Sequence, residues 1–204
     1  RKRAVNSGAV LLVGSFVRIE RTNEKVSIIY RDKNSRKETQ ILTKAIIAAD
    51  GARSNVARAE MPGGKTIPYV IAYHEIIKAP KTENYDPDRC DVIYDGKISP
   101  DFYGWIFPHG KVASVGMGTG VDGVDLKLAT SNLRKSAGLS ECETIRKEGA
   151  PIPLKPLEKW DNGKDLVLAG DAAGVVAPSS GEGIYYAMDG GKEAANAVES
   201  FLKS

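Results

Sequence analysis

Hydrophobic and polar positions alternate early in this chain. Phe16-Val17-Arg18-Ile19-Glu20-Arg21 alternates in its second half, and Val26-Ser27-Ile28-Ile29-Tyr30 is rich in β-branched and aromatic residues, so both segments are predicted strands. Thr22-Asn23-Glu24 supplies turn chemistry between them, and Lys33-Asn34-Ser35-Arg36 a second turn. Gln40–Ala49 reads as a third strand ending in a nearly continuous apolar run, which Asp50-Gly51 breaks. A polar-decorated meander running into an apolar strand predicts a hairpin excursion that returns to a buried sheet.

The middle of the chain has a different texture. Tyr69–Ile77, Asp91–Tyr94, Tyr103–Phe107 and Lys111–Met117 are short strand candidates separated by Pro, Gly and Asp. Leu126–Ala137 carries apolar residues at helical spacing, with Gly138 as its stop. These elements predict an antiparallel sheet with one helix. Near the end, Asp165–Ala169 is a short apolar strand followed by Gly170-Asp171-Ala172-Ala173-Gly174. From Glu182 onward Ile184, Met188, Gly191, Ala195, Val198 and Leu202 recur at spacings of three and four, the pattern of an amphipathic helix.

Composition narrows the function classes. With 204 residues, 42% hydrophobic and 27% charged, the chain is an ordinary soluble globular protein of one large or two small domains. The net charge of +3 is spread along the chain, and Arg1-Lys2-Arg3 is its only dense basic cluster, which argues against nucleic acid as a partner. No run approaches the roughly 18 apolar residues of a membrane span. Cys90 and Cys142 lack CxxC spacing, which points to a reducing, cytoplasmic setting. Neither His74 nor His109 has a partner at metal-ligand spacing, so no metal site is expected. A start at Arg1, with no signal-peptide pattern, suggests a piece of a longer protein.

A strand, a Gly-Asp turn, a glycine-rich loop and a long helix together suit an anionic or dipolar ligand. The helix N-terminus offers unpaired N–H groups, and glycines let a ligand approach the backbone. Asp171, at the end of a buried strand, is placed to accept hydrogen bonds from sugar-like hydroxyls. The same residues also suit a plain αβ corner, with Asp171 capping the turn that follows.

The segment Leu166–Gly174 with Pro178 and Gly181-Glu182-Gly183-Ile184 resembles the second flavin-binding motif of the para-hydroxybenzoate hydroxylase-like FAD proteins. Ala49-Asp50-Gly51-Ala52-Arg53-Ser54-Asn55-Val56-Ala57-Arg58 resembles the Asp-Gly motif of the same superfamily, about 120 residues upstream. Within it the likeness is to the geranylgeranyl reductases, especially the chlorophyll and bacteriochlorophyll branch. It is carried by Tyr103-Gly104-Trp105-Ile106-Phe107-Pro108, Val115–Gly118, Gly149–Leu154 and Gly181–Met188. The resemblance implies an α+β or α/β architecture: a partial FAD-binding, Rossmann-like three-layer domain (residues 1–65 and 161–204) and an antiparallel-sheet substrate domain (residues 66–160). The Gly-x-Gly-x-x-Gly lobe that opens the family has no counterpart here, which fits an internal fragment of a protein of about 400 residues.

The resemblance implies cofactor-binding roles for Asp50, Gly51, Gly170, Asp171, Pro178, Gly181, Gly183 and Ile184. Asp171 would bind the flavin ribitol, and Gly181, Gly183 and Ile184 would present N–H groups to the N1/O2 edge of the ring. Asp50 and Gly51 would shape the turn near the pyrophosphate, or simply form a strand-end turn. Arg53 and Arg58 are candidates for NADPH phosphates. Tyr103, Trp105 and Phe107 share one strand face; they either wall a channel for a prenylated substrate or pack the sheet. A substrate this apolar implies peripheral contact with a membrane, a photosynthetic one for a chlorophyll substrate. The sequence gives no oligomeric state.

The implied chemistry is a hydride shuttle from NADPH through FAD to an isolated alkene, completed by a proton. Tyr185, Tyr186, Cys90 and His74 are candidates for the acid. Three rival readings stand beside it: an aromatic-ring monooxygenase of the same fold, an electron-transfer flavoprotein serving a quinone, and a non-catalytic prenyl-binding module.

Overall fold

The computed structural model describes residues 1–22, 25–81, 85–177 and 179–203. The predicted turn at Asn23 and Glu24 and the proposed cofactor contact at Pro178 lie outside the described residues. In chain order the elements are α1 (Lys2–Asn6), β1 (Gly14–Thr22), β2 (Lys25–Asp32), β3 (Glu38–Thr43), β4 (Ile46–Ala48), α2 (Asn55–Glu60) and β5 (Tyr69–Lys78). Then follow β6 (Asp91–Ile93), β7 (Gly104–His109), β8 (Val112–Thr119), α3 (Leu126–Ser136), β9 (Thr144–Pro153) and β10 (Leu166–Leu168). A 3-10 turn over Gly170–Ala173 leads to α4 (Ile184–Lys203). The chain divides into two compact units, one of residues 1–67, 156–177 and 182–204, the other of residues 68–155 and 178–181.

In the first unit β1, β2 and β3 form the expected antiparallel meander. Its second turn is fixed by Asp32, whose Oδ1 accepts from the N–H groups of Asn34 (3.0 Å) and Ser35 (2.7 Å). The predicted third strand is in fact two. The run breaks after Thr43, whose hydroxyl donates to the Ala45 carbonyl at 2.9 Å. Ile46–Ala48 then leaves the meander to pair in parallel with β10, Ile47 opposite Val167. The polar pair Thr43-Lys44 sits at the break, but only the different partners, β2 for the first half and β10 for the second, show that the run changes sheets. Ile46, Ala48, Leu166 and Leu168 face Val26, Val56, Ala57, Met61 and Ala173 to make this unit's core.

Helix α4 packs against the 3-10 turn and the parallel pair. Its contact face keeps Gly191 and Val198 of the predicted pattern but not Ile184, Met188, Ala195 or Leu202. The least exposed positions are Gly190, Gly191, Ala194 and Val198, whereas Ile184 and Met188 are 76% and 74% exposed and Leu202 is also exposed. Two short strands offer a narrow surface, and small residues let the helix approach it closely. The flank bearing Ile184 and Met188 meets no covering element among the described residues.

The second unit is a five-stranded antiparallel sheet in the order β6-β7-β8-β5-β9. Helix α3 starts at Asp125, whose Oδ1 accepts from Lys127 and Leu128 N–H, both at 3.0 Å, and stops before Gly138 at φ +70°. It covers one sheet face through Ala129 and Leu133, which pack on Ile77, Ile98, Ile106, Ala113, Val115 and Met117. Strand β9 has no counterpart in the sequence reading. Its Arg146-Lys147-Glu148-Gly149 run is exposed and its Pro151 and Pro153 argue against a strand; as an edge strand paired only with β5 it tolerates both.

Arg134 of α3 ties this unit together. Its guanidinium donates to Glu75 Oε2 (2.5 Å), Thr144 Oγ1 (2.8 Å), the Leu139 carbonyl (3.0 Å) and the Cys142 carbonyl. Glu75 also accepts from the Tyr73 hydroxyl at 3.0 Å. Burial, aided by that bond to Glu75, pushes the Tyr73 phenol up to about 12. Burial alone would raise Glu75, but its bonds from Tyr73, Arg134 and Thr144 prevail and hold it below the usual carboxylate range.

Candidate functional site

In the first unit the candidate residues gather where β4 and β10 end. Asp50 caps α2: its Oδ2 accepts from Asn55 N–H (2.9 Å) and Val56 N–H (3.3 Å), and its Oδ1 from the Ser54 hydroxyl (2.5 Å). Both oxygens are therefore engaged within the chain. Gly51 has φ +85°, a conformation that favours glycine, so the pair forms a strand-to-helix turn. Arg53 and Arg58 are exposed beyond it.

At the end of β10, Gly170 is glycine for two reasons. Its φ is +60°, and a Cβ there would lie 3.0 Å from the Cβ of Ala187 in α4. The 3-10 turn carries Asp171 to a half-buried position. No donor reaches its carboxylate among the described residues, and burial alone raises its pKa above the usual value. Opposite stands Gly183, where a Cβ would lie 2.9 Å from Asp171 Oδ1 and 3.2 Å from Val176. Ile184 begins α4, and the Glu182 carboxylate accepts from the Tyr185 N–H at 2.9 Å.

In the second unit the sheet face away from α3 carries Tyr103, Trp105 and Phe107. Their rings form a run with centroids 5.9 and 6.2 Å apart, extended by Phe102 stacked on Tyr103 at 4.3 Å. Tyr103 and Trp105 are buried and Phe107 is half-buried. The rings lie across β8, whose glycines make room for them. A Cβ on Gly116 would meet Trp105 at 2.6 Å, and one on Gly118 would meet Phe102 at 2.9 Å. Gly181, at φ +66°, rests against Ile152 and Phe102 of this face, and the Tyr103 hydroxyl donates to the Ser180 carbonyl. Burial raises the Tyr103 phenol, with a smaller contribution from Tyr94.

In the sequence His74 stands as a lone histidine. The sheet register instead sets it beside Ser114 and Glu148, 40 and 74 positions along the chain, a neighbourhood that no local spacing signals. Of the other acid candidates, Tyr185 and Tyr186 are exposed on α4, and Cys90 is exposed. His109 is exposed at the end of β7. Among the described residues no group of three or more metal-ligating side chains gathers, and no helix is long and apolar enough to cross a membrane.

Comparison with known proteins shows what the chain is similar to. No protein-family model matches the chain. Over all of its length it is 62% identical to the geranylgeranyl diphosphate reductase of Rhodobacter capsulatus, of which it covers 52%. Its homologues are geranylgeranyl reductases. The fold agrees: a crystal structure of a geranylgeranyl bacteriochlorophyll reductase-like protein from Thermoplasma acidophilum superposes with a TM-score of 0.84 at 26% identity, over 98% of this chain and 52% of that one. A flavoprotein/dehydrogenase from Cytophaga hutchinsonii shares the fold at a TM-score of 0.65 and 19% identity, again over 98% of this chain and 52% of that one. The chain thus spans about half the length of the geranylgeranyl reductase it matches.

Proposed function

We propose that the whole protein is an FAD-dependent reductase that saturates C=C bonds of a geranylgeranyl group, carried on a chlorophyll-type pigment, a diphosphate or a lipid. The reading draws on the geranylgeranyl reductase homology, and within the structure the Asp171 carboxylate carries it. A half-buried carboxylate with no donor among the described residues is an acceptor held ready for a ligand, and the hydroxyls of the FAD ribityl chain are such donors. Gly183 keeps the space beside it free of a side chain. Gly181, Gly183 and Ile184 are the proposed N–H donors to the ring, Gly170 keeps α4 close, and Asp50 and Gly51 hold the turn nearer the pyrophosphate.

Bound FAD would supply a hydride at N5. The remaining tasks belong to the chain. An unactivated alkene offers little charge to stabilise, so positioning and exclusion of water carry the barrier reduction. The ring run of Tyr103, Trp105 and Phe107 is the proposed floor for the prenyl chain. NADPH is the proposed reductant, with Arg53 and Arg58 as candidate phosphate partners. A prenyl tail of this length partitions into membranes, so the substrate would be taken at a membrane surface.

The test is anaerobic titration of the full-length, FAD-loaded protein with NADPH, followed by mass analysis of a geranylgeranyl substrate. Bleached flavin bands and a gain of two hydrogens per double bond are expected. Failure of the folded protein to take up FAD, or hydroxylation that requires oxygen, would overturn the reading.

A further inference from the structure

The aromatic face of the second unit also carries a closed chain of polar groups. His74 of β5 lies opposite Gly116 of β8 on one side and Glu148 of β9 on the other. Its Nδ1 is 2.7 Å from Ser114 Oγ, and its Nε2 is 3.2 Å from Glu148 Oε2. Trp105 Nε1–H donates to the same Ser114 oxygen at 3.0 Å. Ser114 is buried and faces Phe107 in the strand register, so its hydroxyl sits beside both Trp105 and Phe107.

Counting donors fixes the direction of every bond. The indole N–H can only donate, and the ionised Glu148 carboxylate can only accept. Nε2 therefore carries the proton of a neutral His74, Nδ1 accepts, and the Ser114 hydroxyl donates to it. The resting chain runs from Trp105 to Ser114 to His74 to Glu148. Protonating the ring reverses one link. Nδ1–H becomes a donor, Ser114 accepts from both His74 and Trp105, and its own proton must turn to another acceptor.

We propose that His74 and Ser114, with Glu148 as the counter-charge at Nε2–H, form a proton relay onto this aromatic face, with the Ser114 hydroxyl as the group that protonates the alkene. The inference rests on the reductase reading above. The alkene π bond breaks, and one carbon takes the hydride, with its two electrons, from the reduced flavin. The other carbon takes the Ser114 proton, and Ser114 is refilled from His74 Nδ1–H. This returns the chain to its neutral resting arrangement, in which Nε2 keeps its proton, so the solvent proton that recharges His74 is taken up at Nδ1. Glu148 is about half exposed and holds Nε2–H as the counter-charge of the protonated ring; Arg146 Nε, 3.1 Å from it, is the neighbouring charge on β9. The strand neighbours of His74 on this face, Ala72, Ile76 and Gly116, are uncharged. Trp105 is a positioning residue, since its N–H fills the oxygen lone pair that Ser114 would otherwise offer elsewhere.

The experiment compares wild type, Ser114→Ala, Ser114→Thr and Glu148→Gln in the full-length, FAD-loaded protein. Flavin reduction by NADPH is expected to proceed at the wild-type rate in all four. Prenyl saturation is expected to fall about 10²–10⁴-fold in Ser114→Ala, the usual range for a lost acid, and to recover largely in Ser114→Thr. Glu148→Gln removes the counter-charge of the protonated ring and should slow prenyl saturation while flavin reduction is unchanged. Independently of turnover, ¹⁵N NMR of the imidazole should show the Nε2–H tautomer at neutral pH. Wild-type saturation in Ser114→Ala or in Glu148→Gln, or the Nδ1–H tautomer, would overturn the relay while leaving the reductase reading intact. A wild-type protein that reduces its flavin yet saturates no prenyl bond would sink both.

Discussion

Gly183 and Asp171 compete for one space: a Cβ on the glycine would lie 2.9 Å from the Oδ1 of the carboxylate. The contact atom is the end of a short side chain, so the carboxylate can rotate away. Gly183→Ala should therefore cost little stability, about 1 kcal/mol at the low end of overpacking, yet turn Asp171 out of its pose. FAD affinity of the full-length protein, followed by quenching of flavin fluorescence, is expected to drop at least about tenfold. Unchanged affinity would mean that Asp171 does not hold the cofactor.

Asp171 itself should trade stability for binding. Burial raises its folded pKa above the unfolded value, so its favourable contribution is present at pH below the ordinary Asp range and is lost as pH rises through the folded pKa. Asp171→Asn should thus be more stable than wild type at pH 7.5 and show little gain at pH 4, while binding FAD more weakly. Urea melts at the two pH values check the sign, and a variant less stable than wild type at pH 7.5 would contradict it.

Gly116→Ala should be severe. The added Cβ would meet the His74 Cβ at 2.4 Å, the Tyr73 carbonyl oxygen at 2.5 Å and the Trp105 ring at 2.6 Å, and the first two cannot rotate away. A loss of about 3 kcal/mol is expected, the upper end for overpacking, with a change in tryptophan emission. Gly96→Ala, where nothing lies within 4 Å, is the matched control and should melt within about 0.5 kcal/mol of wild type.

Arg134→Met should destabilise the second unit by about 3–5 kcal/mol, because it strands the buried Glu75 carboxylate and leaves several carbonyls unpaired. Glu75→Gln, which keeps acceptors for Tyr73 and Arg134, should cost less. The folded pKa of Glu75 is depressed, so the stability it contributes is present above the unfolded value and disappears as pH falls through the folded one. Chemical melts from pH 7 down to pH 4 should therefore narrow the gap between wild type and Glu75→Gln, and a gap that widens would refute the assignment.

The face of α4 and the limits of Gln40–Ala49 show why sequence reading stopped where it did. Both segments are apolar enough to name their element type, and α4 does form from Ile184 onward. Which side of α4 is covered depends on the width of the surface beneath it, and two three-residue strands let only Gly190, Gly191, Ala194 and Val198 approach closely. Similarly, Thr43 ends one pairing and Ile46 begins another because β10, more than a hundred residues later, supplies the parallel partner.

Local order was therefore settled by the chain itself: the meander, the helix ended at Gly138, the Gly-Asp turn after β10, and the two motifs and aromatic run on which the resemblance rests. Those features depend on period, turn chemistry and near neighbours, which a linear sequence contains. Tertiary structure alone decided that β9 is an edge strand, that the Asp171 oxygens meet no donor among the described residues, and that His74 meets Ser114 and Glu148. Each of these depends on strand register or on burial, and both come into being only when segments 40 or more residues apart close into one sheet.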